Sequence, residues 1–409
     1  MTYPRPLRAA LLAALQDTPV VSLLGPRQCG KTTLARTLEP DYAYFSLDDD
    51  TTLAFATSDP AGFVAGLPNR VILDEVQRAP ALLRTLKLEV DRDRRPGRFV
   101  LTGSADLLML PKLGDSLTGR MEIINLQPLS AAELNRQPGG LVAALLNGTL
   151  APKARVEPGG FESLAGYVVA GGFPEAVARP ADRARAWHRN YLRTLVERDA
   201  LDISKLRDGH VLQQMLALLA LQTAELLNVT RLSNELGVSR ATVDSYLEVS
   251  ERLFLLRRLQ PWHRNQAKRL VKTPKMHFVD TGLASMLADL GTEDWVARRH
   301  RFGHMLESWV VQQIIAQAGW TDPDLRFWHY RDKDQVEVDL VVTRGSKTWA
   351  VEVKSAMTVL PQDGHGLRRL ANQCGNDFQG GMLLYAGASV LPLSTSGCHA
   401  VPLSCLWEM

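Results

Sequence analysis

Two segments near the start of the chain have the residue types and spacing needed to handle phosphate groups. From Gly25 to Thr32 the chain follows the pattern G-x-x-x-x-G-K-[ST], after a short apolar segment and before a helical pattern. Such a loop points backbone N–H groups at phosphate oxygens near a helix N-terminus, where the helix dipole favours anions. We expect the Lys31 ammonium to reach the β and γ phosphates of ATP and the Thr32 hydroxyl to coordinate Mg²⁺. The residues expected to surround the nucleotide are Gly25, Pro26, Arg27, Gln28, Cys29, Gly30, Lys31, Thr32 and Thr33.

A second apolar segment, residues 71–73, ends in the two carboxylates Asp74 and Glu75. We expect Asp74 to hold the Mg²⁺ shell and Glu75 to polarise the attacking water, because phosphoryl transfer depends on positioning and charge neutralisation. Ser104, which follows the next apolar segment, is a candidate contact to the γ-phosphate. Arg120 is a candidate arginine finger, acting on a neighbouring subunit. Ordinary turn and surface roles are the alternatives for Ser104 and Arg120.

A third group of chemistry-bearing residues lies near the end of the chain. Asp339 lies within one alternating apolar segment, and Glu352 and Lys354 lie in the next, on the same side of the strand because strand side chains alternate with period two. Two carboxylates can hold a Mg²⁺ or Mn²⁺ ion, and a lysine beside them can orient water for attack on a phosphodiester. Glu307, on a helical pattern before them, is a candidate third ligand. The alternatives are a salt bridge at a strand edge or a nuclease-like fold that does not cut.

A fourth feature is a helix-turn-helix pattern over residues 229–247. Gly237 is expected to end the first helix and Ser239 to cap the second, which leaves Arg240 near the exposed N-terminal end that reads bases in DNA-binding versions. From Arg252 to Lys275 the chain then carries eight Lys or Arg and no acid, which is typical of a wing that contacts DNA phosphates. The alternatives are a structural connector and a solvated basic face.

These residues need a scaffold of strands that alternate with helices. Short apolar segments bounded by turn residues predict strands in the first half of the chain at residues 20–24, 43–47, 71–73, 99–102 and 123–126. Helical patterns between them predict a parallel α/β sheet. In the last part of the chain, strands are predicted at 326–330, 336–343, 348–353 and 382–385, with helices at 302–318 and 364–374. The stretch 135–160, rich in Gly and Pro, is predicted to be a loop or an insertion.

Composition limits the class of protein. The chain has 409 residues, 22% of them charged, a net charge of +3, and four scattered cysteines without CxxC or metal-ligand spacing. We therefore expect a reducing, cytoplasmic location. The start of the chain has no signal-peptide pattern, and no apolar run is long enough to span a membrane, so no membrane partner is predicted.

With these motifs in hand, the whole chain resembles the bacterial and archaeal AAA+ ATPases that carry a C-terminal restriction-endonuclease-like, or PD-(D/E)XK, domain of unknown function. The stretches that carry the resemblance extend from one end of the chain to the other: residues 25–33, 73–77, 101–104, 119–120, 128–130, 171–175, 278–283, 337–339 and 352–354.

The resemblance implies three parts: an AAA+ domain over residues 1–205 with its lid around 130–205, a winged-helix domain over 206–295, and a PD-(D/E)XK nuclease-like domain over 296–409. It implies a homo-oligomer and a ring, with ATP at subunit boundaries. The preferred functional hypothesis is an ATP-hydrolysing DNA-processing protein in repair or recombination. It would remodel or translocate duplex, branched or single-stranded DNA, coupled to the metal-dependent nuclease-like domain. The alternative is a nucleotide-dependent switch whose last domain only binds DNA or a protein; a chaperone-like ATPase is less favoured.

Overall fold

The computed structural model describes residues 3–103, 117–153, 161–200, 209–264 and 273–409. The chain packs into two compact units. The N-terminal unit comprises Thr2–Pro128 with Arg252–Phe254, and the C-terminal unit comprises Leu129–Glu251 and Leu255–Met409. The domain boundaries predicted near residues 205 and 295 both fall inside the C-terminal unit, and they stay predictions.

The N-terminal unit is built on a five-stranded parallel sheet of order β2-β3-β4-β1-β5. Its strands are β1 (Val20–Leu24), β2 (Ala43–Ser46), β3 (Val71–Asp74), β4 (Phe99–Gly103) and β5 (Met121–Asn125). Its helices are α1 (Leu7–Ala14), α2 (Lys31–Arg36), α3 (Asp50–Ser58), α4 (Pro60–Ala65) and α5 (Leu82–Arg92). The five predicted strands are confirmed to within two residues at each end. The three central strands β1, β3 and β4 are fully buried, as their continuous apolar segments indicate, and the edge strands β2 and β5 are partly exposed.

The C-terminal unit begins with helices and ends with a mixed sheet. The first helices are α6 (Ala131–Leu134), α7 (Leu141–Leu146), α8 (Phe161–Ala170), α9 (Pro174–Val177), α10 (Ala181–Thr194) with a π-helical turn at Leu195–Ala200, and α11 (Gly209–Leu221). Helix α7 lies inside the stretch predicted to be a loop, so that prediction was wrong for these six residues. Leu141, Val142 and Leu145 are buried there, and tertiary packing outweighs the Gly and Pro on either side.

The predicted helix-turn-helix is present as α12 (Val229–Leu236) and α13 (Arg240–Arg252). Gly237 adopts φ 65°, a left-handed conformation that ends α12, and the Thr242 backbone N–H donates to Ser239 Oγ at 3.1 Å, as predicted for the cap of α13. A two-stranded antiparallel sheet follows, formed by β6 (Leu256–Leu259) and β7 (Lys275–Phe278). Lys268, Arg269 and Lys272 of the basic run lie outside the described residues.

The last part of the C-terminal unit is a six-stranded sheet of order β12-β13-β11-β10-β9-β8. Its strands are β8 (Arg326–Arg331), β9 (Glu337–Arg344), β10 (Lys347–Lys354), β11 (Phe378–Tyr385), β12 (Leu391–Pro392) and β13 (Cys398–Pro402). The helices around it are α14 (Thr281–Leu287), α15 (Asp294–Ala297), α16 (Arg299–Thr321), α17 (His365–Cys374) and α18 (Cys405–Glu408). Strands β8, β9 and β10 are antiparallel neighbours, and β11 runs parallel to β10 after the crossover through α17. The strands and the two helices predicted for this region are confirmed.

Two motifs far apart in the sequence meet at one buried point of the C-terminal unit. Asp280 Oδ2 accepts a hydrogen bond from the Gly172 N–H at 2.7 Å, and Asp280 Oδ1 accepts one from the Leu283 N–H at 2.9 Å, which caps α14. A Cβ at Gly282 would lie 2.4 Å from the Ala170 carbonyl oxygen, and only glycine fits that approach. The contact joins the segments that follow α8 and β7, and its two residues are 108 positions apart in the chain.

Within the part of the chain that the structure describes, no helix has both the length and the apolar character needed to cross a bilayer.

A buried hydrogen-bond chain connects β7 to α16. Ser308 Oγ lies 3.1 Å from both His277 Nδ1 and Thr223 Oγ1. His277 is fully buried, and burial followed by the positive charge of Lys275 holds the pKa of its imidazole well below its usual range.

We predict that the C-terminal unit loses stability as the pH falls below 6.5. His277 stays neutral in the folded unit but binds a proton when the chain unfolds. Below pH 6.5, each further unit of acidification therefore lowers the free energy of unfolding by at most about 1.4 kcal/mol because of this residue. In His277→Asn the unfolding free energy should depend less on pH between 7.5 and 5. Urea titrations followed by tryptophan fluorescence measure this unit selectively, because all 8 Trp lie after residue 128. His210→Asn, at an exposed position on α11, should keep the wild-type slope; an unchanged slope in His277→Asn would contradict the assignment.

Candidate functional site

The loop between β1 and α2 is shaped by two glycines. A Cβ at Gly25 would lie 2.2 Å from the Leu126 carbonyl oxygen, so any larger residue would push the loop away from the end of β5. The Cys29 thiol, fully buried, donates to the same carbonyl at 3.6 Å. Gly30 has φ 102°, in the left-handed region, and starts α2 with open space where a side chain would be. The loop therefore has a fixed inner side and an open mouth at the helix N-terminus.

Lys31 lies within this loop. Its Nζ donates to the carbonyl oxygens of Gly25, at 3.0 Å, and Pro26, at 2.7 Å, and the residue is only 4% exposed. These neutral carbonyls hold the ammonium at the loop without cancelling its charge. The ammonium is thus available to a phosphate that enters the loop. Of the other predicted loop residues, Pro26 is buried, Arg27 half-buried, and Gln28 and Thr33 exposed.

Asp74 is the centre of the acidic half of the site and accepts hydrogen bonds from three hydroxyl groups. Thr32 Oγ1 lies 3.0 and 2.9 Å from its two oxygens, Tyr44 Oη donates to Oδ2 at 2.6 Å, and Thr102 Oγ1 donates to Oδ1. Burial and then the Asp74 carboxylate raise the pKa of Tyr44 to about 12, so the phenol stays a donor. The structure thus brings Thr32 and Asp74 together as the sequence predicted.

The donor set fits a magnesium ion. A threonine hydroxyl and a carboxylate are oxygen ligands of the kind Mg²⁺ prefers, and they come from the loop and from the adjacent strand end. Asp74 is 4% exposed and is met by neutral hydroxyls, so its negative charge is hydrogen-bonded but not neutralised. When bound, Mg²⁺ would supply charge neutralisation to the β and γ phosphates.

Glu75, the predicted water-polarising residue, has an unusual backbone conformation. Its φ of 57° lies in the left-handed region, which non-glycine residues rarely adopt outside strained functional positions. The Glu75 N–H donates to Thr102 Oγ1 at 3.2 Å, and Gln77 Nε2 donates to its carboxylate. The turn after β3 therefore fixes the direction of this carboxylate.

Sequence reasoning missed three residues of this site: Tyr44, Gln77 and Thr102. The sequence pattern predicts only a strand at Thr102, yet its hydroxyl hydrogen-bonds both to Asp74 and to the Glu75 backbone. The available signal was a polar residue at the carboxyl end of an otherwise apolar strand, since those ends meet at one edge of a parallel sheet. Nothing near Tyr44 in the sequence points to Asp74, 30 residues away.

The two remaining candidates are not placed at the loop. Ser104 lies outside the described residues. Arg120 precedes β5, and its carbonyl accepts the Val20 N–H at the start of β1, so it lies at the opposite edge of the sheet from the Gly25–Thr32 loop. Its guanidinium is held by Asp91 of α5, at 2.5 Å from Nε and 3.0 Å from Nη2. Within one copy of the chain Arg120 does not reach the nucleotide, and its action on a neighbouring copy stays a prediction.

The C-terminal carboxylates converge as the strand pattern predicted, and they gather around a lysine. Lys275 Nζ lies 2.8 Å from Glu307, 3.6 Å from Glu337 and 3.7 Å from Asp339. Lys275 is 3% exposed, so the expectation that it contacts DNA phosphates as part of the basic run was wrong. Its alternating strand turns it inward, toward α16 and β9.

Glu352, which pairs with Lys354, lies in the same group of carboxylates. We call this group the carboxylate cluster, and its members are Glu307, Glu337, Asp339 and Glu352. Lys354 Nζ donates to Glu352 Oε1 at 2.9 Å, and the Val353 N–H donates to Asp339 Oδ2 at 2.8 Å. Burial and then the nearby Asp339 charge raise the pKa of Glu307 and that of Glu352 to about 8. Glu352 Oε2 is buried without a hydrogen-bond partner.

The cluster does not fit the predicted Mg²⁺ or Mn²⁺ ion. The ammonium of Lys275 stands between Glu307 and Asp339, where a shared ion would have to lie. Among the described residues no group of three or more His, Cys, Asp or Glu is arranged to hold a metal. The assignment of Glu307, Asp339 and Glu352 as metal ligands, with Lys354 as their catalytic lysine, stays a prediction that this geometry does not support.

We predict that Thr102→Val lowers the maximal rate of ATP hydrolysis about 10- to 100-fold. The substitution keeps the shape of a fully buried residue but leaves the Glu75 N–H without an acceptor and removes one of the three hydroxyl donors to Asp74, which costs about 1–3 kcal/mol. Phosphate release at saturating Mg²⁺ and ATP measures the effect, and wild-type turnover would contradict it.

Tyr44→Phe should raise the Mg²⁺ concentration that gives half-maximal ATPase activity about 2- to 10-fold. It removes one hydroxyl donor from the Asp74 carboxylate and leaves the loop intact. Because the Thr32 and Thr102 hydroxyls still donate to Asp74, we expect a loss of about 0.5–1.5 kcal/mol. Tyr42→Phe is the matched control, because Tyr42 Oη donates instead to the Gly97 carbonyl at 2.7 Å, away from Asp74. Equal shifts in the two variants would show that Tyr44 acts only on packing.

Family comparisons divide the chain in three. Residues 17–135 match a family described as AAA domain, residues 161–294 match a Domain of unknown function (DUF8612), and residues 302–406 match a Domain of unknown function (DUF4143). The first match contains the Gly25–Thr32 loop and Asp74. The third contains Asp339, Glu352 and Lys354.

The chain is also similar to two mycobacterial proteins, each described as an uncharacterized protein: Rv2008c of Mycobacterium tuberculosis and Mb2031c of Mycobacterium bovis. Each is 29% identical over 357 residues, which cover 87% of this chain and 74% of the relative.

Two solved structures show weak similarity. The Walker-type ATPase PABY2304 of Pyrococcus abyssi is 14% identical, with a TM-score of 0.40, and the match covers 69% of this chain and 94% of that one. The RuvB Holliday junction branch migration motor of Thermotoga maritima is 21% identical, with a TM-score of 0.28 over 62% and 87% of the two chains. Both scores are too low to support a further conclusion. The AAA-domain match, together with the geometry around Lys31, Thr32 and Asp74, supports an ATPase of the P-loop class.

Proposed function

We propose that the chain hydrolyses ATP with Mg²⁺ in order to remodel or translocate DNA, in repair or recombination. The observation that carries ATP hydrolysis is the contact of Thr32 Oγ1 with both oxygens of Asp74, at 2.9 and 3.0 Å. This contact joins the end of the phosphate loop to the acidic strand end. The sheet order places β4 between β1 and β3, so Thr102 supports the same carboxylate from the strand between them.

Each residue of the nucleotide site has a distinct role in this proposal. The loop N–H groups and Lys31 bind the phosphates and balance their charge. Thr32 and Asp74 hold the Mg²⁺ shell. Glu75, directed by Gln77 and by its own backbone conformation, orients the water for in-line attack on the γ-phosphate. Hydrolysis then removes the γ-phosphate, and the strand ends that contact it are free to change position.

The geometry that supports DNA binding is the pair α12–α13 with the two-stranded sheet β6–β7 behind it. Arg240 and Asp244 are exposed and Thr242 half-buried at the start of α13, while Val243 and Leu247 are buried on the opposite side. We propose that these helices and this sheet form a winged helix, whose second helix enters the major groove. The sequence between β6 and β7 adds Arg264, Lys268, Arg269 and Lys272, four further cations for the negatively charged DNA backbone.

The C-terminal sheet supports a nuclease-like fold that grips DNA. A helix, α16, precedes three antiparallel strands, and a crossover helix, α17, leads to a parallel fourth strand, which is the order expected of a restriction-endonuclease-like core. Lys275 Nζ lies between Glu307 and Asp339, where a nuclease of this fold would hold its metal ion. DNA cleavage is therefore not part of the proposal. We also propose a homo-oligomer, in which Arg120 of one copy leaves Asp91 and reaches the ATP of the next.

The second candidate function is a nucleotide-dependent switch. The specific observation that favours it is the Lys275 ammonium at 2.8 Å from Glu307 and 3.7 Å from Asp339, which ties β7 to α16 and β9 through buried charges. In this function the ATPase is slow, DNA leaves its rate unchanged, and the C-terminal unit binds a protein or DNA without processing it.

We predict that duplex, branched or single-stranded DNA raises the ATPase rate of the wild type at least 3-fold. Lys31→Ala should lose ATP binding, since the loop loses its cation. Glu75→Gln should keep binding and lose more than 90% of turnover, since the attacking water loses its acceptor. Steady-state phosphate release with and without each DNA, together with binding of a fluorescent ATP analogue, separates these results. If none of the three DNA forms changes turnover, the DNA-processing proposal fails and the switch takes its place.

Arg240→Ala should weaken DNA binding about 10-fold and leave basal ATP hydrolysis unchanged. An arginine at the start of the groove-facing helix contributes about 1–3 kcal/mol to binding. Arg179→Ala, which removes another partly exposed arginine, paired with Glu175 at 2.8 Å, is the matched control. Fluorescence anisotropy at fixed salt measures both. Equal affinities in the two variants would remove α13 from the DNA interface.

A further inference from the structure

Lys275 is a charged residue at the core of the C-terminal unit that has no part in the proposed ATP hydrolysis or DNA contact. Its backbone is fixed on both sides: it pairs with Leu259 in the β6–β7 sheet and forms a bridge with Leu226 beyond α11. The side chain is 96% removed from solvent. A lysine placed so deep must meet negative charge, because an isolated ammonium in a protein interior costs several kcal/mol.

The negative charge comes from two separate elements. Glu307 projects from α16 and contacts Lys275 Nζ at 2.8 Å, and Asp339 projects from β9 at 3.7 Å. Glu337, two residues before Asp339 on the same strand, lies at 3.6 Å and is shared with Arg331 at 2.5 Å. Lys275 therefore bridges the helix and the strand in the way a shared cation would.

A divalent ion and this ammonium exclude one another. Mg²⁺ and Mn²⁺ take carboxylate oxygens at about 2.0–2.2 Å, and one ion shared by Glu307 and Asp339 would lie between them. That space is taken by Lys275 Nζ, and a second cation beside it would be repelled. Asp339 Oδ2 is also engaged, since it accepts the Val353 N–H at 2.8 Å. Lys354 neutralises Glu352 at 2.9 Å, so each of the three predicted ligands already has a donor.

We propose that Lys275 is a built-in cation that takes the place of the divalent metal between Glu307 and Asp339, so that the C-terminal unit binds no metal there and does not cut DNA. The consequence is a nuclease-like sheet held together by its own ammonium group and used as a binding module. This inference goes beyond the proposed ATPase function and does not depend on it, because it concerns a different metal site.

The test is a Mn²⁺ titration of the full chain, followed by the loss of the free Mn²⁺ electron paramagnetic resonance signal. Asp74→Asn is included in every variant to remove the nucleotide-site carboxylate. We expect Asp74→Asn and Asp74→Asn/Lys275→Arg to bind no Mn²⁺ at a concentration of about 0.1 mM, because both variants keep a cation at position 275. Asp74→Asn/Lys275→Met, similar in length but neutral, should gain one Mn²⁺ per chain, and adding Asp339→Asn should abolish it.

Two results would overturn the proposal. One is Mn²⁺ binding by Asp74→Asn itself that Asp339→Asn removes, which would show that a metal enters despite Lys275. The other is a folded Lys275→Met variant, by circular dichroism, that gains no Mn²⁺ site. If Lys275→Met does not fold, the Asp74→Asn titration decides alone: no bound ion supports the proposal, and one Asp339-dependent ion overturns it. DNA-stimulated ATP turnover of the wild type is measured separately, so failure of either proposal is recognised independently.

Discussion

The cost of burying a carboxylate governs both charged sites of this protein. A carboxylate removed from water must accept strong hydrogen bonds, meet a cation or take up a proton. Asp74 is 4% exposed, Glu307 8%, Asp339 9% and Glu352 7%, so all four face this requirement. The way each is satisfied decides what it can bind. The chemistry of each unit therefore depends on the partners of its carboxylates more than on the presence of the carboxylates themselves.

The two sites satisfy the requirement in opposite ways. Asp74 is met by the hydroxyls of Thr32, Tyr44 and Thr102, which stabilise a negative charge without cancelling it, and a divalent ion can still gain from that charge. Around Asp339 the partners are ammonium groups, and Glu307 and Glu352 have pKa values raised to about 8 by burial. Charge there is already balanced by the protein. The arrangement around Asp74 can bind Mg²⁺, whereas around Asp339 lysine ammonium groups take the place of the ion.

Both arrangements depend on where strands end. In a parallel sheet the carboxyl ends of neighbouring strands share one edge, so the residues that follow β1, β3 and β4 meet although they are separated by about 25 to 50 residues in the chain. That same rule puts Arg120, which precedes a strand, on the far edge. In the C-terminal unit the inward side of β7 faces α16 and β9, and Lys275 therefore belongs to the carboxylates and not to a basic DNA-binding face.

The sequence by itself determined the elements and the local chemistry. Apolar segments bounded by turn residues predicted the strands, Gly237 and Ser239 the helix turn, and the loop spacing the pairing of Lys31 and Thr32 with Asp74. These features depend on neighbours within a few residues, or on the sheet-edge rule, which any sequence obeys. Tertiary structure alone decided which distant groups meet: Tyr44 with Asp74, Asp280 with Gly172, and Lys275 with Glu307. Buried charges choose partners by proximity in space, and no pattern along the chain records that proximity.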